Sequence, residues 1–274
     1  MPVDLHVHTT ASDGSLTPSA VVEAALAVGL RVIAITDHDT TAGVVEATDA
    51  ARSRGITVLP GVELSVEEPC ASDVHVLGLL VDHDDPHLVE TLADLRASRE
   101  ARARTMVDML DEAGHSVDFA DVARRAGGGS IGRVHIARAL VDSGSVPTVE
   151  EAFRLLIGRD APFHVRKETL SGTRAIAAIH AAGGVAVLAH PGVSGEAALT
   201  TLLMAGLDGI EAFHAEHSQR DRQRFAALAE RHGLIVTGGS DFHGPGMRSP
   251  GIGAGACPDS AVDAVRERAR AYRS

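Results

Sequence analysis

Residues 3–36 read VDLHVHTTASDGSLTPSAVVEAALAVGLRVIAIT and contain one complete β-α-β unit. Val3 to His8 alternates apolar and polar side chains at the period of a strand. Thr17 and Pro18 then supply an N-cap and a first-turn proline for an apolar-periodic helix that stops at Gly29. A second strand follows at Arg31–Thr36. The pattern repeats along the chain, with strands predicted at Ile56–Val62, Val74–Val81, Val185–Ala189, Gly209–Phe213 and Leu234–Thr237 and helices near 41–54, 171–182, 196–205 and 217–232. Most of these seven strand runs are short, β-rich and nearly continuously apolar, as expected of strands buried on both faces in a parallel sheet or barrel.

Between Asp82 and Gly183 no comparable strand is legible. Pro86–Ala113 is instead a long Arg- and Glu-rich helical stretch, followed by helical patterns near 118–126, 134–143 and 148–157, and Ala261–Tyr272 reads as a last surface helix. The expected organisation is a barrel formed by residues 1–95 and 166–274, with a helical insert or lid, residues 96–165, between strands four and five. The run Gly127-Gly128-Gly129-Ser130 inside that insert is a loop, either a connector or a phosphate cradle; it lacks the GK[ST] ending and preceding strand of a nucleotide P-loop.

Composition narrows the partners. At 274 residues and 45% hydrophobic content the chain can bury a sizeable core. No apolar run reaches the roughly 18 residues of a membrane helix, and no charged n-region precedes the first strand, so a cytoplasmic location without a membrane partner is expected. Cys70 and Cys257 are far apart and form neither a disulfide framework nor a thiolate metal site. Lys and Arg number 25 against 37 Asp and Glu, a net charge of −12, which disfavours duplex DNA; with no Trp and one Tyr, a stacking platform for long single strands would be thin. A small ligand held at a local positive site is the expectation.

The metal-ligand residue types fall at corresponding places on the strands. His6 and His8 close strand one, Asp37 and His38 strand two, Glu63 strand three, His190 strand five and His214 strand six, while Asp241 and His243 follow strand seven; His75 alone lies early in its strand, the fourth. The carboxyl ends of strands in barrels converge on one face. A single histidine on a loop is ordinarily solvated or part of the core, and a single Asp at a strand end ordinarily caps a helix; this joint pattern has neither character. His6-x-His8 places two imidazoles on one side of a strand, and Asp241-x-His243 can repeat the arrangement with an oxygen and a nitrogen. His6, His8, Asp13, His38, Glu63, His75, His190, Asp241 and His243 are too many for one ion. They fit two or three divalent ions at roughly three to four protein ligands each, and the nitrogen and oxygen donors suit Mn foremost, or Fe or Zn.

The segments DLHVHTTASDG, AITDHDT, GVELS, DVHVLGL, LAHPG and GSDFHG together resemble the PHP (polymerase and histidinol phosphatase) superfamily of metal-dependent phosphoesterases. The long insert followed by LAHPG is similar to the single-chain nucleotide phosphoesterases of that family rather than to its polymerase-associated domains. The resemblance implies an α/β fold, a distorted seven-stranded (β/α)7 barrel. It implies that His6, His8, Glu63 and Asp241 hold one ion, Glu63, His75 and His190 a second, and Asp13, His38 and His243 a third. Arg133 and His135, in GGGSIGRVHIARAL, resemble an RPHIA segment whose arginine reaches the substrate phosphate, with Val134 in place of the usual proline. His214 is left over by the metal count for a phosphate contact or for protonation of the leaving oxygen, and Lys167 is a further candidate for substrate binding. The family often has Tyr where His164 stands. Asp37 is expected to orient His38 rather than to bind metal.

Metal coordination lowers the pKa of water from about 15.7 to roughly 7, which makes a hydroxide available for in-line attack on phosphorus. Asp13, His38 and Asp241, with His214, are the expected catalytic groups. Three divalent ions would be balanced in charge by Asp13, Glu63 and Asp241 together with a hydroxide and a phosphate dianion. The expected function is hydrolysis of phosphate monoesters of small nucleotides, a nucleoside 3′,5′-bisphosphate or a mononucleotide, or the trimming of short 5′-phosphorylated RNA. Histidinol-phosphate phosphatase is the alternative within this chemistry, disfavoured by the insert and its Arg133 segment. A non-catalytic metal-binding protein would use the same His/Asp set without turnover.

Overall fold

Strands β1 (Val3–Val7), β2 (Val32–Ile35), β3 (Thr57–Glu68), β4 (Ala71–Leu79), β5 (Leu170–Ser171), β6 (Val185–Leu188), β7 (Gly209–His214) and β8 (Ile235–Gly239) build one curled sheet in the computed structural model. The structure describes residues 3–68, 71–166, 169–192, 196–246, 251–255 and 257–273; Cys70 and Lys167 lie outside them. Seven strands follow one another in the order β1-β2-β3-β4-β6-β7-β8, and the two-residue β5, which the sequence pattern did not disclose, pairs with the far end of β3. The sheet is nearly closed. β8 and the residues after it return to β1, where the Asp241 N–H donates to the His6 carbonyl at 3.0 Å and the His8 N–H to the Phe242 carbonyl at 2.9 Å. The Asp4 carboxylate crosses the same seam, accepting from the Ser240 N–H at 2.9 Å and the Gly253 N–H at 2.7 Å.

One strand runs against the others. β4 is antiparallel to both β3 and β6, whereas the remaining main pairings are parallel. The reason is the connection: only residues 69 and 70 separate β3 from β4, and a parallel return needs a crossover of about a dozen residues or more. The reversal brings the early part of β4 to the end of the barrel where the other strands finish. His75 therefore pairs with Ser65, two residues beyond Glu63, and its anomalous position in the sequence pattern disappears.

Helices α1 (Pro18–Ala27), α2 (Gly43–Ala51), α3 (Pro86–Glu112), α4 (Phe119–Ala126), α5 (Arg133–Asp142), α6 (Val149–Ala152), α7 (Gly172–Ala181), α8 (Leu199–Met204), α9 (Gln219–His232) and α10 (Ser260–Arg270) complete the chain. The Thr17 side chain caps α1 by accepting the Ala20 N–H, and α9 ends at Gly233, whose φ of 64° only glycine adopts without cost. α3 belongs to two cores at once. Leu88, Leu92 and Leu95 pack with Ile176 and Ile179 beside the barrel, whereas Ala103, Met106, Val107 and Leu110 pack with Ile136, Leu140 and Ile157 of the helical segment. No loop marks the change at 95–96; it falls inside a continuous helix of 27 residues. Among the described residues no helix is long and apolar enough to cross a membrane.

The seam is tight enough to exclude a methyl group. A Cβ on Gly239 would overlap the His6 Cβ and stand 2.9 Å from its Cα. Gly239→Ala is expected to cost about 1–3 kcal/mol by overpacking, read from the urea midpoint, and to weaken Mn²⁺ uptake because the displaced residue is His6. An unchanged midpoint and unchanged uptake would show that the seam opens without cost.

Candidate metal centre

At the end of the barrel where the parallel strands finish, four atoms from β1 and the residue after it, from β3 and from the loop after β8 form the most compact group. The Nε2 atoms of His6 and His8 are 3.1 Å apart. Glu63 Oε2 stands 3.4 and 3.1 Å from these two nitrogens, and Asp241 Oδ1 3.3 and 3.1 Å from them. Hydrogen bonds between neutral rings cannot account for this. A neutral imidazole has one N–H, and that of His6 is committed at Nδ1, which faces both oxygens of Glu211 at 3.2 Å. Ligands placed about 2.0–2.2 Å from a divalent ion, however, lie roughly 3.0–3.6 Å from one another in octahedral or tetrahedral arrangements. The donor atoms match a cation site.

A second group shares the other oxygen of the same carboxylate. Glu63 Oε1 is 2.9 Å from His75 Nδ1 and 3.0 Å from His190 Nε2, and those nitrogens are 3.3 Å apart. The third group is looser: Asp13 Oδ1 lies 3.2 Å from His243 Nε2, and Asp13 Oδ2 lies 3.8 Å from His38 Nε2. His38 stands between groups, its Nδ1 3.0 Å from Glu63 Oε2. Neither of those two buried atoms makes a hydrogen bond despite the short approach, as donors turned toward a common cation would not. All nine residues singled out in the sequence are brought together.

The protonation of the cluster favours ligation by its carboxylates. Burial raises Asp13, Glu63 and Asp241, but nearby imidazoles outweigh it, His243 and His38 at Asp13, His38 and His75 at Glu63, His6 and His243 at Asp241; all three lie well below the usual carboxylate range. Burial pushes His38 down to about 4, leaving it neutral. At His243 burial also lowers the pKa, but Asp13 and Asp241 prevail and raise it to about 10. A bound cation would take the place of that proton.

The surrounding shell is built from buried acids. Asp37 accepts from the Thr9 N–H at 2.7 Å, the Thr9 hydroxyl at 2.7 Å and the Ser12 hydroxyl at 2.6 Å, and Ser12 Oγ lies 3.4 Å from His8 Nδ1. It thereby steadies the loop leading to Asp13 and the ring of His8, a different target from His38. Glu211, in β7 and fully buried, takes the His6 Nδ1–H and, at 2.9 Å, the His190 N–H. The sequence reading passed over Glu211; a Glu between Ile210 and Ala212, in a strand buried on both faces, was the available signal. His190 and Asp241 have φ of 29° and 52°, a region that costs residues with a side chain about 1–3 kcal/mol each and is tolerated where function requires it.

The other candidates separate. His214 is buried beside the cluster; its Nδ1 accepts the Glu216 N–H at 3.2 Å, and its Nε2, with no hydrogen-bond partner, is 3.8 Å from Asp241 Oδ2. His135 is buried, and its Nδ1 accepts the Gly132 N–H at 3.0 Å, capping α5. Arg133, whose guanidinium lies 5.6 Å from the centre of the Phe153 ring, lines a cavity of about 320 Å³ together with His75, Arg102, Arg159, His164 and Arg166. Sequence reasoning named only Arg133 among these arginines. The signal for Arg102 was the spacing of three from Arg99 in RASREARAR, which puts both on one face of α3, and both are buried.

Comparison with known proteins agrees with this geometry. The profile of the PHP domain matches residues 4–121. A 3′,5′-nucleoside bisphosphate phosphatase of Chromobacterium violaceum is 40% identical over 258 residues, 92% of this chain and 90% of that protein. The 5′-3′ exoribonuclease Rnm of Escherichia coli is 36% identical over 250 residues, 88% and 85% of the two chains. A Bifidobacterium adolescentis structure assigned to the metal-dependent phosphoesterases superposes with a TM-score of 0.90 at 36% identity, covering 97% of this chain and 96% of the other.

Glu211 offers a test that spares the direct ligands. Glu211→Gln keeps the shape of the side chain and removes the anionic acceptor behind His6, so Mn²⁺ affinity is expected to fall about 10–100-fold. Titration of the metal-free protein measures it. Unaltered affinity would show that Glu211 does not orient His6.

Proposed function

We propose, on the ground that this chain belongs to the PHP-domain family of metal-dependent phosphoesterases, that it hydrolyses phosphate monoesters of small nucleotides, a nucleoside 3′,5′-bisphosphate foremost. The observation that carries this reading is the adjacency of the ligand cluster to the arginine-lined cavity. His75 borders both, and the cavity adds Arg102, Arg133, Arg159 and Arg166. A ligand with two phosphates fits such a pair of sites, one phosphate at the cluster and the other among guanidiniums, whose planar forks match phosphate oxygens.

In this reading His6, His8, Glu63 and Asp241 hold one divalent ion, Glu63, His75 and His190 a second, and Asp13, His38 and His243 a third, with Mn²⁺ foremost and Fe or Zn accepted by the same donors. Such ions, when bound, supply Lewis acidity at the phosphoryl oxygens and a lowered pKa for water. The remaining work belongs to the chain. Arg133 grips the phosphate. His135 fixes the turn at Gly132 from which Arg133 projects. His214, buried with its Nε2 near Asp241, delivers a proton to the leaving oxygen. Residues 96–165 act as a lid that carries Arg133 to the mouth of a barrel formed by residues 1–95 and 166–274.

A panel of 3′,5′-adenosine bisphosphate, AMP, histidinol phosphate, a 5′-phosphorylated dinucleotide and RNA of about twenty nucleotides tests the substrate, because polymer binding draws on many phosphate contacts and weakens steeply with salt. The bisphosphate is expected to give the highest kcat/KM and to respond little to salt. Arg133→Ala should lose about 2–4 kcal/mol of transition-state stabilisation with metal content unchanged. A better rate with the long RNA at physiological salt would overturn the small-nucleotide reading, and a wild-type kcat/KM in Arg133→Ala on every ester would remove Arg133 from it.

A further inference from the structure

Two of the contacts between the helical segment and the barrel fall on loops that carry candidate ligands. On α3, Arg99 is 5% exposed; its Nε donates to Asp39 Oδ2 at 2.5 Å and its Nη2 to Ser65 Oγ at 3.0 Å. Asp39 directly follows His38, is fully buried, and has a φ of 51°. Its Oδ1 accepts the Ser65 N–H at 2.9 Å, and its own N–H donates to the Glu63 carbonyl at 3.0 Å. Ser65 lies two residues beyond Glu63 and opposite His75 in the β3–β4 register. One guanidinium thus ties together the neighbours of three ligands on three elements. Stability alone does not explain such a pair, since the cost of desolvating both charges commonly offsets their attraction.

The second contact is made by the Gly127–Ser130 loop, whose Gly127, Gly129 and Ser130 N–H groups donate to protein carbonyls. The Ser130 N–H donates to the Ala11 carbonyl at 2.8 Å, and a Cβ on Gly129 would overlap that same carbonyl oxygen. In the second turn of α5, Arg138 Nη2 donates to the Asp13 carbonyl at 3.4 Å. These contacts reach two members of the third group, Asp13 and His38, most directly; Ser65 also lies beside Glu63 and His75 of the tighter groups, but Arg99 meets there only its hydroxyl. The two tighter groups draw on β1, β3 and β4 and on residues closing β6 and β8.

We propose that the helical segment is a brace for the group of Asp13, His38 and His243, with Arg99 as the positioning residue that sets His38 against Glu63. This rests on the reading that the group holds a divalent ion. The test is Mn²⁺ titration of metal-free protein, with elemental analysis, for the wild type, Arg99→Gln, Arg99→Lys, Gly129→Ala and the double variant Arg99→Met with Asp39→Asn. The double variant removes both charges, and Asn tolerates the left-handed backbone at 39, so it tests positioning even if Arg99→Gln, with the Asp39 charge left buried, does not fold. The weakest class of Mn²⁺ sites is expected to lose about tenfold or more in affinity in Arg99→Gln, Gly129→Ala and the double variant, the tighter classes to stay within about twofold, and Arg99→Lys to recover part of the loss. A folded double variant with the wild-type isotherm overturns the inference. So does equal weakening of every class, which a merely structural role would produce. Wild-type protein that takes up no third class of ion overturns instead the reading beneath it.

Discussion

Glu63 is a carboxylate without exposed surface, and five imidazoles, those of His6, His8, His38, His75 and His190, lie between 2.9 and 3.4 Å from its two oxygens. A buried charge costs several kcal/mol unless it is compensated. Neutral rings compensate it only in part, because each has a single N–H, that of His6 already serves Glu211, and Glu63 Oε2 is left without a hydrogen-bond partner among the described residues. Five protonated rings would repel one another. Divalent cations resolve the conflict by adding positive charge without adding protons, and the architecture follows from the need to bring those rings to one carboxylate. Closing the sheet puts Asp241 against His6, and reversing β4 puts His75 beside Glu63.

The nine donors could be read from the chain because a barrel makes their positions periodic: most sit where an apolar run stops, His75 and Asp13 excepted. That rule depends on residue type and strand ends, both visible in a linear sequence. Strand direction was not visible: the strands predicted at 56–62 and 74–81 left eleven residues between them, and only their full extent in the structure reduces the link to two residues, too few for a parallel crossover. What escaped notice acts through another residue. Glu211 lies inside a strand, where its acidic character reads as an ordinary interruption, and Arg99 lies in a helix rich in surface arginines. Their importance comes from burial, 0% and 5% exposed, and burial at a given helical or strand phase emerges only when the partner element is in place. The glycine run shows the converse. Its composition suggested freedom, whereas Gly129 is required by contact with a carbonyl oxygen.

The centre also draws on stability. His190 and Asp241 occupy the left-handed region, Gly239 is pressed against His6, and a group of acids and imidazoles is held out of water. These costs fall on the folded, metal-free chain and have no counterpart in the unfolded one. Whatever binds the folded form alone returns stability by mass action, about 2.7 kcal/mol at a hundred times the dissociation constant. A cluster of this kind would therefore couple the closure of the barrel to any ions it binds, and the seam between β1 and β8 is where that coupling would be mechanical: the residue that closes the sheet, Asp241, is also a candidate donor of the first group.

Charge separates access from affinity. The chain as a whole is net negative by twelve, so its outer surface opposes a long polyanion over distances comparable to the Debye length of about 8 Å at physiological ionic strength. Beside His75 the balance is reversed locally, with Arg102, Arg133, Arg159 and Arg166 lining one cavity; Arg166 pairs with Glu67 at its edge. A short phosphorylated ligand leaves the repulsive surface behind once it enters, and exchanges water for guanidiniums in a medium that screens less. In the small-nucleotide reading a polymer would not, because most of its phosphates would stay outside, opposite the acidic surface. The same arginines would serve either ligand, so any discrimination between them would rest on how much of the ligand the cavity can enclose rather than on the identity of the groups that bind it.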